Sequence, residues 1–146
     1  MDRLSRWGRH GPSSPHKNRK GREAGQAVVE FALILPILLL ILLAAVDMTR
    51  AYFTLQVINN ATREGARIGI IAGSTTSEVN TTVNARLSSG GLTATPTISA
   101  AGVDGASPGD LTTVTVSYPF QTLTGSFIPG WSGTVTLSQT TVMRHE

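Results

Sequence analysis

An apolar run with a strongly basic flank on one side constrains the fold of this chain most. Residues 31–46 carry no charged side chain, and residues 27–29 extend the run to about the 20 residues that a helix needs to cross a bilayer. Its leucines and isoleucines fall on every face of a helix, as contact with lipid requires. Pro36 removes one intrahelical hydrogen bond, so we expect a bend there. The run predicts one transmembrane segment at about residues 27–46.

The charge of the chain is divided unevenly around this run. The first 24 residues hold seven basic and two acidic side chains, whereas the remainder holds five basic and seven acidic ones. Because cationic flanks stay in the cytoplasm, we expect residues 1–25 to be a disordered cytoplasmic leader, with the C-terminal part outside the cell. A basic arm could also bind nucleic acid, but no folded module for that accompanies it, so no nucleic-acid partner is predicted.

Helical spacing continues beyond the apolar run. Side chains recur at intervals of three and four residues at Met48, Tyr52, Leu55, Ile58, Ala61 and Thr62. Asp47 with Arg50, and Glu64 with Arg67, are favourable neighbours three residues apart. The pattern predicts one long helix over residues 26–72, with its first half in the membrane.

Small residues line one stripe of the outer half of this helix, at Ala61, Gly65, Gly69 and Gly73. A glycine inside a helix costs about 1 kcal/mol relative to alanine, so a groove that admits another backbone or sheet would explain Ala61, Gly65 and Gly69 as a packing site. The alternative is a helix that frays into a glycine-rich loop. Gly73 is predicted to be a plain C-cap.

Residues 73–146 have the pattern of a small module outside the membrane. Thr75 and Glu78 form a capping box at the start of a short second helix, whose apolar face is Val79, Val83 and Leu87. Alternating segments at residues 92–100, 113–118 and 134–143 predict half-buried strands, with loops at 101–110 and 119–133. The fold class is therefore α+β, with a small antiparallel sheet. The sheet's thin apolar face needs the long helix as a cover.

The sequence offers little for catalysis. It has no cysteine, its outer part has one histidine, His145, and no G-x-S-x-G, phosphate-loop or H-E-x-x-H motif occurs, so no enzyme, metal or cofactor is predicted. Asp104 and Asp110 could hold calcium, but two carboxylates in a Gly- and Pro-containing loop favour turns. Phe127 and Trp131 could form an exposed binding tip, but packing is favoured.

The remaining feature is the junction GQAVVEF at residues 25–31, where Glu30 lies inside the start of the apolar run. A charge at the centre of a membrane segment costs about 2.5–3.5 kcal/mol, and somewhat less near its end, so Glu30 needs a functional partner. A basic leader ending in Gly25, then four residues, Glu30 and an aromatic residue resembles the processing site of type IV pilin-like proteins. In the Flp subclass a tyrosine stands where this chain has Phe31. Residues 24–70 and the closing segment 142–146 resemble the TadE-like family of the tight-adherence machinery.

The resemblance implies a non-enzymatic minor pilin-like (pseudopilin) subunit, needed to assemble a Flp-type pilus or a related secretion apparatus. A prepilin peptidase would cut after Gly25 and leave Gln26 as the new N-terminus. Glu30 could then neutralise that ammonium in a neighbouring subunit, in competition with pairing inside one chain. The implied partners are the peptidase, other pilin-like subunits and assembly proteins of the bacterial cytoplasmic (inner) membrane.

Two alternatives from other classes stay open. One is a signal-anchored, single-pass surface protein whose β-rich module binds an unrelated ligand or partner. The other is a soluble β protein that signal peptidase releases by cutting near Ala45. The apolar run is longer than a usual signal core and the helical pattern continues past it, which argues against release.

Overall fold

The long helix is the first element of the structure, a computed structural model that describes residues 20–145, with side chains from Gly25 onward. Helix α1 spans Lys20–Gly69 and contains Pro36. It therefore begins inside the predicted leader, while residues 1–19 and Glu146 lie outside the described residues. Among the residues described, Gly25–Gly69 is the one helix long and apolar enough to cross a membrane. By contacts, the chain divides into two compact units between Leu38 and Leu39.

In the second unit, the C-terminal part of α1 is a core element. Ile58, Ala61, Thr62 and Ala66 are all fully buried and follow the three- and four-residue spacing of a single helix face. The apolar members of this set, Ile58, Ala61 and Ala66, join one cluster with residues of the second helix and the sheet. The expected cover for the thin apolar face of the sheet is confirmed.

Helix α2 spans Thr76–Ser89, as its local sequence predicts. The Thr75 hydroxyl accepts a hydrogen bond from the Glu78 amide, and the Glu78 carboxylate accepts one from the Thr75 amide, which completes the capping box. The buried residues of α2 are the three predicted ones, Val79, Val83 and Leu87.

The sheet has three antiparallel strands in the order β1-β2-β3. They span Thr97–Ala101 (β1), Leu111–Gln121 (β2) and Thr134–Arg144 (β3). Every second residue of the central strand is buried, at Thr112, Val114, Val116, Tyr118 and Phe120. A long N-terminal helix, a short second helix and this sheet confirm the predicted α+β class.

Two predicted strand boundaries close to prolines were wrong. The first strand starts at Thr97 rather than at residue 92, because Pro96 lacks the amide that a ladder needs. Strand β2 runs on through Pro119 to Gln121. Pairing with β1 ends at Ser117, so Pro119 lies where β2 has a neighbour on one side only, a position where a strand tolerates proline.

Helix α1 ends at Gly69, three residues before the predicted end at 72. The Ser74 hydroxyl donates hydrogen bonds to the Gly69 and Ile71 carbonyls, and the Ser74 amide donates to Ile71 as well. Gly73 has a φ of 83° and forms the turn after the helix, where a left-handed conformation favours glycine.

Candidate functional site

The predicted processing residues lie on one exposed stretch of α1. Gly25, Gln26, Glu30 and Phe31 are all exposed, and the Gly25–Gln26 bond lies within the helix. A side chain built at Gly25 would meet nothing within 4 Å among the described residues. A second molecule could therefore approach this stretch of helix on the side of Gly25.

Glu30 has a nearby polar partner in its own chain. The Gln26 side-chain amide donates a hydrogen bond of 3.1 Å to the Glu30 carboxylate, one helical turn away. The pair is exposed, and an amide leaves the negative charge of the carboxylate in place. In the described part of the chain, no salt bridge to Glu30 occurs. Chemically, the site offers an anion that a cation could neutralise.

The small-residue stripe lies against the module. Ala61, Gly65 and Gly69 are buried. A Cβ built at Gly65 would come within 2.5 Å of a Val83 methyl group of α2. A Cβ built at Gly69 would come within 2.8 Å of a methyl group of Thr112 in β2. Both contacts are closer than real Cβ atoms allow, so α2 and β2 approach α1 as closely as they do only because glycine is present.

Asp47, the first residue after the apolar run, holds the loop between β2 and β3. Its carboxylate accepts hydrogen bonds from the amides of Leu123 and Thr124, at 2.8 and 2.9 Å, and from the Thr124 hydroxyl at 2.8 Å. It also forms the predicted ion pair with Arg50 at 3.2 Å. Asp47 is only 6% exposed, so this carboxylate is a buried tether between helix and loop.

The tether keeps Asp47 ionised. Burial alone would raise the pKa of Asp47, because it disfavours the charged form. The hydrogen bonds from Leu123 and Thr124, together with the neighbouring guanidinium, favour the charged form more strongly. The net result is a pKa below the ordinary value of 3.8. The sequence predicted the ion pair but not the loop contacts, since their donors are more than 70 residues away.

The loop that Asp47 holds exposes the aromatic side chains for which packing was favoured. Phe127 is 59% exposed and Trp131 is 40% exposed, and Leu123 and Ile128 are exposed as well. A 3-10 helix, Thr124–Phe127, forms its first half. The packing prediction was wrong because the tight contact of Gly125 with Gly133 closes the base of the loop and leaves its tip outside the core.

His145 has a structural place that the sequence did not reveal. Its ring Nε2 lies 2.7 Å from the Thr112 hydroxyl and 3.1 Å from the Gly102 carbonyl, and the residue is buried. Its backbone pairs with Gly109 and Asp110. Its partners are two carbonyls, a hydroxyl and one amide, so this histidine fixes the end of the C-terminal strand.

Of the two loop carboxylates, Asp110 serves a turn, as predicted, whereas Asp104 binds the start of α2, which was not predicted. Asp104 accepts hydrogen bonds from the amide and hydroxyl of Thr76 at the start of α2, and these bonds lower the pKa of Asp104. Asp110 accepts a hydrogen bond of 2.8 Å from the Ser107 amide. Within residues 25–145, no group of three or more potential metal ligands comes together.

Comparison with known proteins bears on the N-terminal part of the chain. Residues 25–67 match the family model described as TadE-like protein, which confirms the predicted resemblance. No curated protein and no solved structure shows significant similarity. The matched segment begins at Gly25 and ends before Gly69, so it contains the exposed processing residues, Asp47 and two members of the small-residue stripe, Ala61 and Gly65.

Proposed function

We propose that this chain, whose residues 25–67 are TadE-like, is a non-enzymatic minor pilin-like subunit. It would serve the assembly of a tight-adherence (Flp-type) pilus or a related secretion apparatus. The first half of α1 anchors it in the bacterial cytoplasmic membrane, with the leader in the cytoplasm and the α+β module outside. The family match supports the association with pilus machinery, and the apolar helix supports the anchor.

The observation that carries the proposal is the placement of Glu30 in an otherwise apolar, exposed helix. Val28, Val29, Phe31 and Leu33 around it are all exposed, so this face suits lipid or another apolar helix. An acid there loses free energy in lipid unless a partner neutralises it. Among the described residues, the Glu30 carboxylate has a hydrogen bond from the Gln26 amide and no salt bridge, so its charge is not neutralised there.

Cleavage after Gly25 would create the missing partner. A new α-ammonium at Gln26 carries a positive charge, and in a neighbouring subunit it could approach Glu30 within the same apolar environment. The Gln26 side chain already reaches Glu30 within one chain, so pairing inside the subunit competes with pairing between subunits. Either pairing requires the leader to be removed first.

Glycine at position 25 suits a cleavage site within a helix. Helical glycine is less stable than alanine by about 1 kcal/mol, so the turn around residue 25 opens more easily than its neighbours. Its missing side chain leaves space beside the scissile bond. A prepilin peptidase could therefore reach the Gly25–Gln26 bond and unwind the helical turn around it at a low cost in free energy.

The buried stripe supports a further step of the proposal. Gly65 and Gly69 let α2 and β2 pack directly against α1. A pilin-like subunit needs close packing of this kind, because extraction from the membrane by its helix has to move the module as well. We propose that Ala61, Gly65 and Gly69 serve assembly by allowing this close packing of the module against α1.

One experiment tests the proposal against its rivals. The full chain is expressed in bacteria with and without a prepilin peptidase, and the N-terminus of the membrane-bound product is determined by mass spectrometry. We expect a start at Gln26 only when the peptidase is present. An intact leader in both strains would instead indicate a signal-anchored surface protein, and a soluble product starting near Val46 would indicate secretion.

A pair of glycine variants controls for general damage. Gly25→Leu adds bulk next to the scissile bond and stabilises the helix there, so processing should stop. Gly21→Leu changes a glycine four residues earlier and should still be processed. Equal processing of both variants would refute Gly25 as the cleavage position.

A further inference from the structure

We infer that the loop of residues 122–133, here called the apolar loop, inserts into the lipid–water interface of the membrane that anchors α1. This inference rests on the proposed membrane anchor. It adds a second contact with the bilayer, made by the module rather than by the helix. The partner is the interfacial layer of the lipid, where acyl chains meet headgroups.

The first observation is the character of the loop surface. Four large apolar side chains, at Leu123, Phe127, Ile128 and Trp131, are exposed together on it. The whole segment 122–133, TLTGSFIPGWSG, contains no charged residue. Such a concentration of exposed apolar side chains is typical of a surface that meets another apolar phase.

The second observation is the height of the loop along α1. Thr124 is hydrogen-bonded through its amide and its hydroxyl to Asp47, which directly follows Val46, the last residue of the apolar run. The 3-10 helix that starts at Thr124 rises about 2 Å per residue, so the backbone of Phe127 lies about 6 Å from that of Thr124. The aromatic tip is thus held close to the level at which the apolar run ends.

The third observation is the chemistry found at that level. Arg50 lies three residues beyond Asp47, about 4.5 Å further along the helix, and its side chain is half exposed. The headgroup layer is about 5–8 Å thick on each side of the hydrocarbon core, so Arg50 falls within it. Tryptophan concentrates at the same depth because its ring is apolar and its N–H is polar. A partly exposed arginine and exposed aromatic side chains near the end of the apolar run match the composition of a lipid–water interface, where arginine extends its charge to the headgroups and aromatic rings lie beneath it.

The consequence is an orientation for the module. A single helix leaves the attached module free to rotate about the helix axis and to tilt. A second insertion point beside the helix removes part of that freedom. The face of the module that carries the apolar loop would then rest on the membrane until the subunit is extracted.

Fluorescence quenching by lipid tests the inference on the full chain. Trp7→Phe leaves Trp131 as the single tryptophan, since the chain has two. This variant is reconstituted in phosphatidylcholine vesicles that carry a spin label either near the headgroup or deep in the acyl chain. We expect the shallow label to remove most of the Trp131 emission and the deep label to remove little.

A matched control places the tryptophan at the opposite end of β2. The variant Trp7→Phe, Trp131→Phe, Leu111→Trp puts it at an exposed site ten residues before Gln121, about 33 Å away along the strand. Neither label should quench it. Vesicle flotation, measured on the same samples, reports the anchor independently.

The outcomes separate the two proposals. A chain that floats with the vesicles while Trp131 is quenched no more than the control would refute the insertion and leave the anchor intact. Blue-shifted but unquenched emission from a floating chain would show that protein, such as a second copy of the chain, covers the loop, and would also refute insertion. A chain that does not float would overturn the anchor itself, and with it both proposals.

Discussion

A glycine and an acid occur in each half of α1, in opposite surroundings, and the two acids lie at the two ends of the apolar run. In the N-terminal half, a Cβ at Gly25 would meet nothing within 4 Å among the described residues, and the described hydrogen bond of the Glu30 carboxylate comes from the Gln26 side-chain amide. Toward the C-terminal end of α1, Gly65 lies against Val83 of α2, and Asp47 receives three hydrogen bonds and an ion pair from its own chain.

The difference separates residues that serve folding from residues that are left for a partner. Asp47 is satisfied inside the chain, so its charge needs nothing further. Glu30 carries an equal charge in an apolar stretch without an equivalent set of donors among the described residues, so a second molecule has to supply the compensation. The comparison predicts that changing one acid affects assembly alone, whereas changing the other affects folding.

The largest expected effect is that of Glu30→Ala. Processing after Gly25 should continue, since the residues at the cleaved bond are unchanged, but incorporation into the pilus assembly should be lost. Co-purification with other pilus subunits measures incorporation, and mass spectrometry measures processing. Thermal unfolding of the module should be unchanged, because the hydrogen bond of Glu30 is made within its own helical turn.

Glu30→Asp is the matched control, since it keeps the charge while shortening the side chain. It should retain part of the incorporation. Normal incorporation of Glu30→Ala would exclude Glu30 from the assembly mechanism. It would also contradict the conclusion that Glu30, unlike Asp47, needs a second molecule.

The next effect is that of Gly65→Leu, which tests the glycine whose neighbouring space is filled by side chains of α2. A leucine has no room against Val83 and Val79, so the free energy of unfolding should fall by about 3 kcal/mol. Circular dichroism during urea unfolding in detergent measures this. Arg63→Leu, an exposed change on the same helix, should alter stability by no more than about 0.5 kcal/mol.

A double variant sharpens the same test. Gly65→Ala alone brings its Cβ against a Val83 methyl group, and Val83→Ala alone leaves a gap. Combined, the two changes should partly cancel, with a coupling free energy on the order of 1 kcal/mol. Simple addition of the two losses would show that the small-residue stripe does not set the distance between α1 and α2.

A smaller effect is expected for Asp47→Asn, which tests the acid whose hydrogen bonds and ion pair all lie within the chain. The amide group cannot accept from all the donors that the carboxylate serves, so thermal stability should fall and the apolar loop should loosen. Faster amide hydrogen exchange at Leu123 and Thr124 would report the loosening. Asp110→Asn, which removes a carboxylate with one backbone donor in an exposed turn, should cost less.

The pH dependence has a definite sign. The pKa of Asp47 is lower in the folded chain than its ordinary value of 3.8, so its stabilising effect is fully present above pH 3.8. The effect declines as the pH falls below 3.8 through the folded-state pKa. The stability difference between the native chain and Asp47→Asn should therefore shrink in that acid range. A difference that stays constant down to low pH would contradict the role of the ionised carboxylate.

Local rules explain which parts of the fold the sequence could predict. The capping box at Thr75 and the apolar face of α2 depend on residues within one or two helical turns of each other, and both were confirmed. The alternation in β2 likewise follows from the two-residue period of a strand. The family resemblance came from residues 24–70, where one motif and one apolar run occur together.

Long-range contacts explain what the sequence did not reveal. The donors to Asp47 lie in the β2–β3 loop, and the partners of His145 lie at Gly102 and Thr112. No periodicity or short motif links such positions. Exposure of Phe127 and Trp131 was missed for the same reason, because it depends on how the base of their loop closes. An acid directly after an apolar run is the one local signal that could have pointed to the Asp47 tether.

The smallest effect is that of Glu78→Ala, which adds a third acid to the comparison. Glu78 is satisfied within its own helical turn, where its carboxylate accepts from the Thr75 amide at 2.9 Å. An exposed acid in the first turn of a helix contributes about 0.5 kcal/mol, so the loss in unfolding free energy should be of that size. Glu78→Gln should recover part of it, because glutamine also completes a capping box.

The three acids then form a series: Glu78 stabilises one turn, Asp47 joins two distant segments, and Glu30 acts only with a second subunit. If Glu78→Ala lowered the unfolding free energy as much as Asp47→Asn, the sequence separation between an acid and its donors would not determine the size of the loss. The contrast between the two ends of the apolar run would then rest on Glu30 alone.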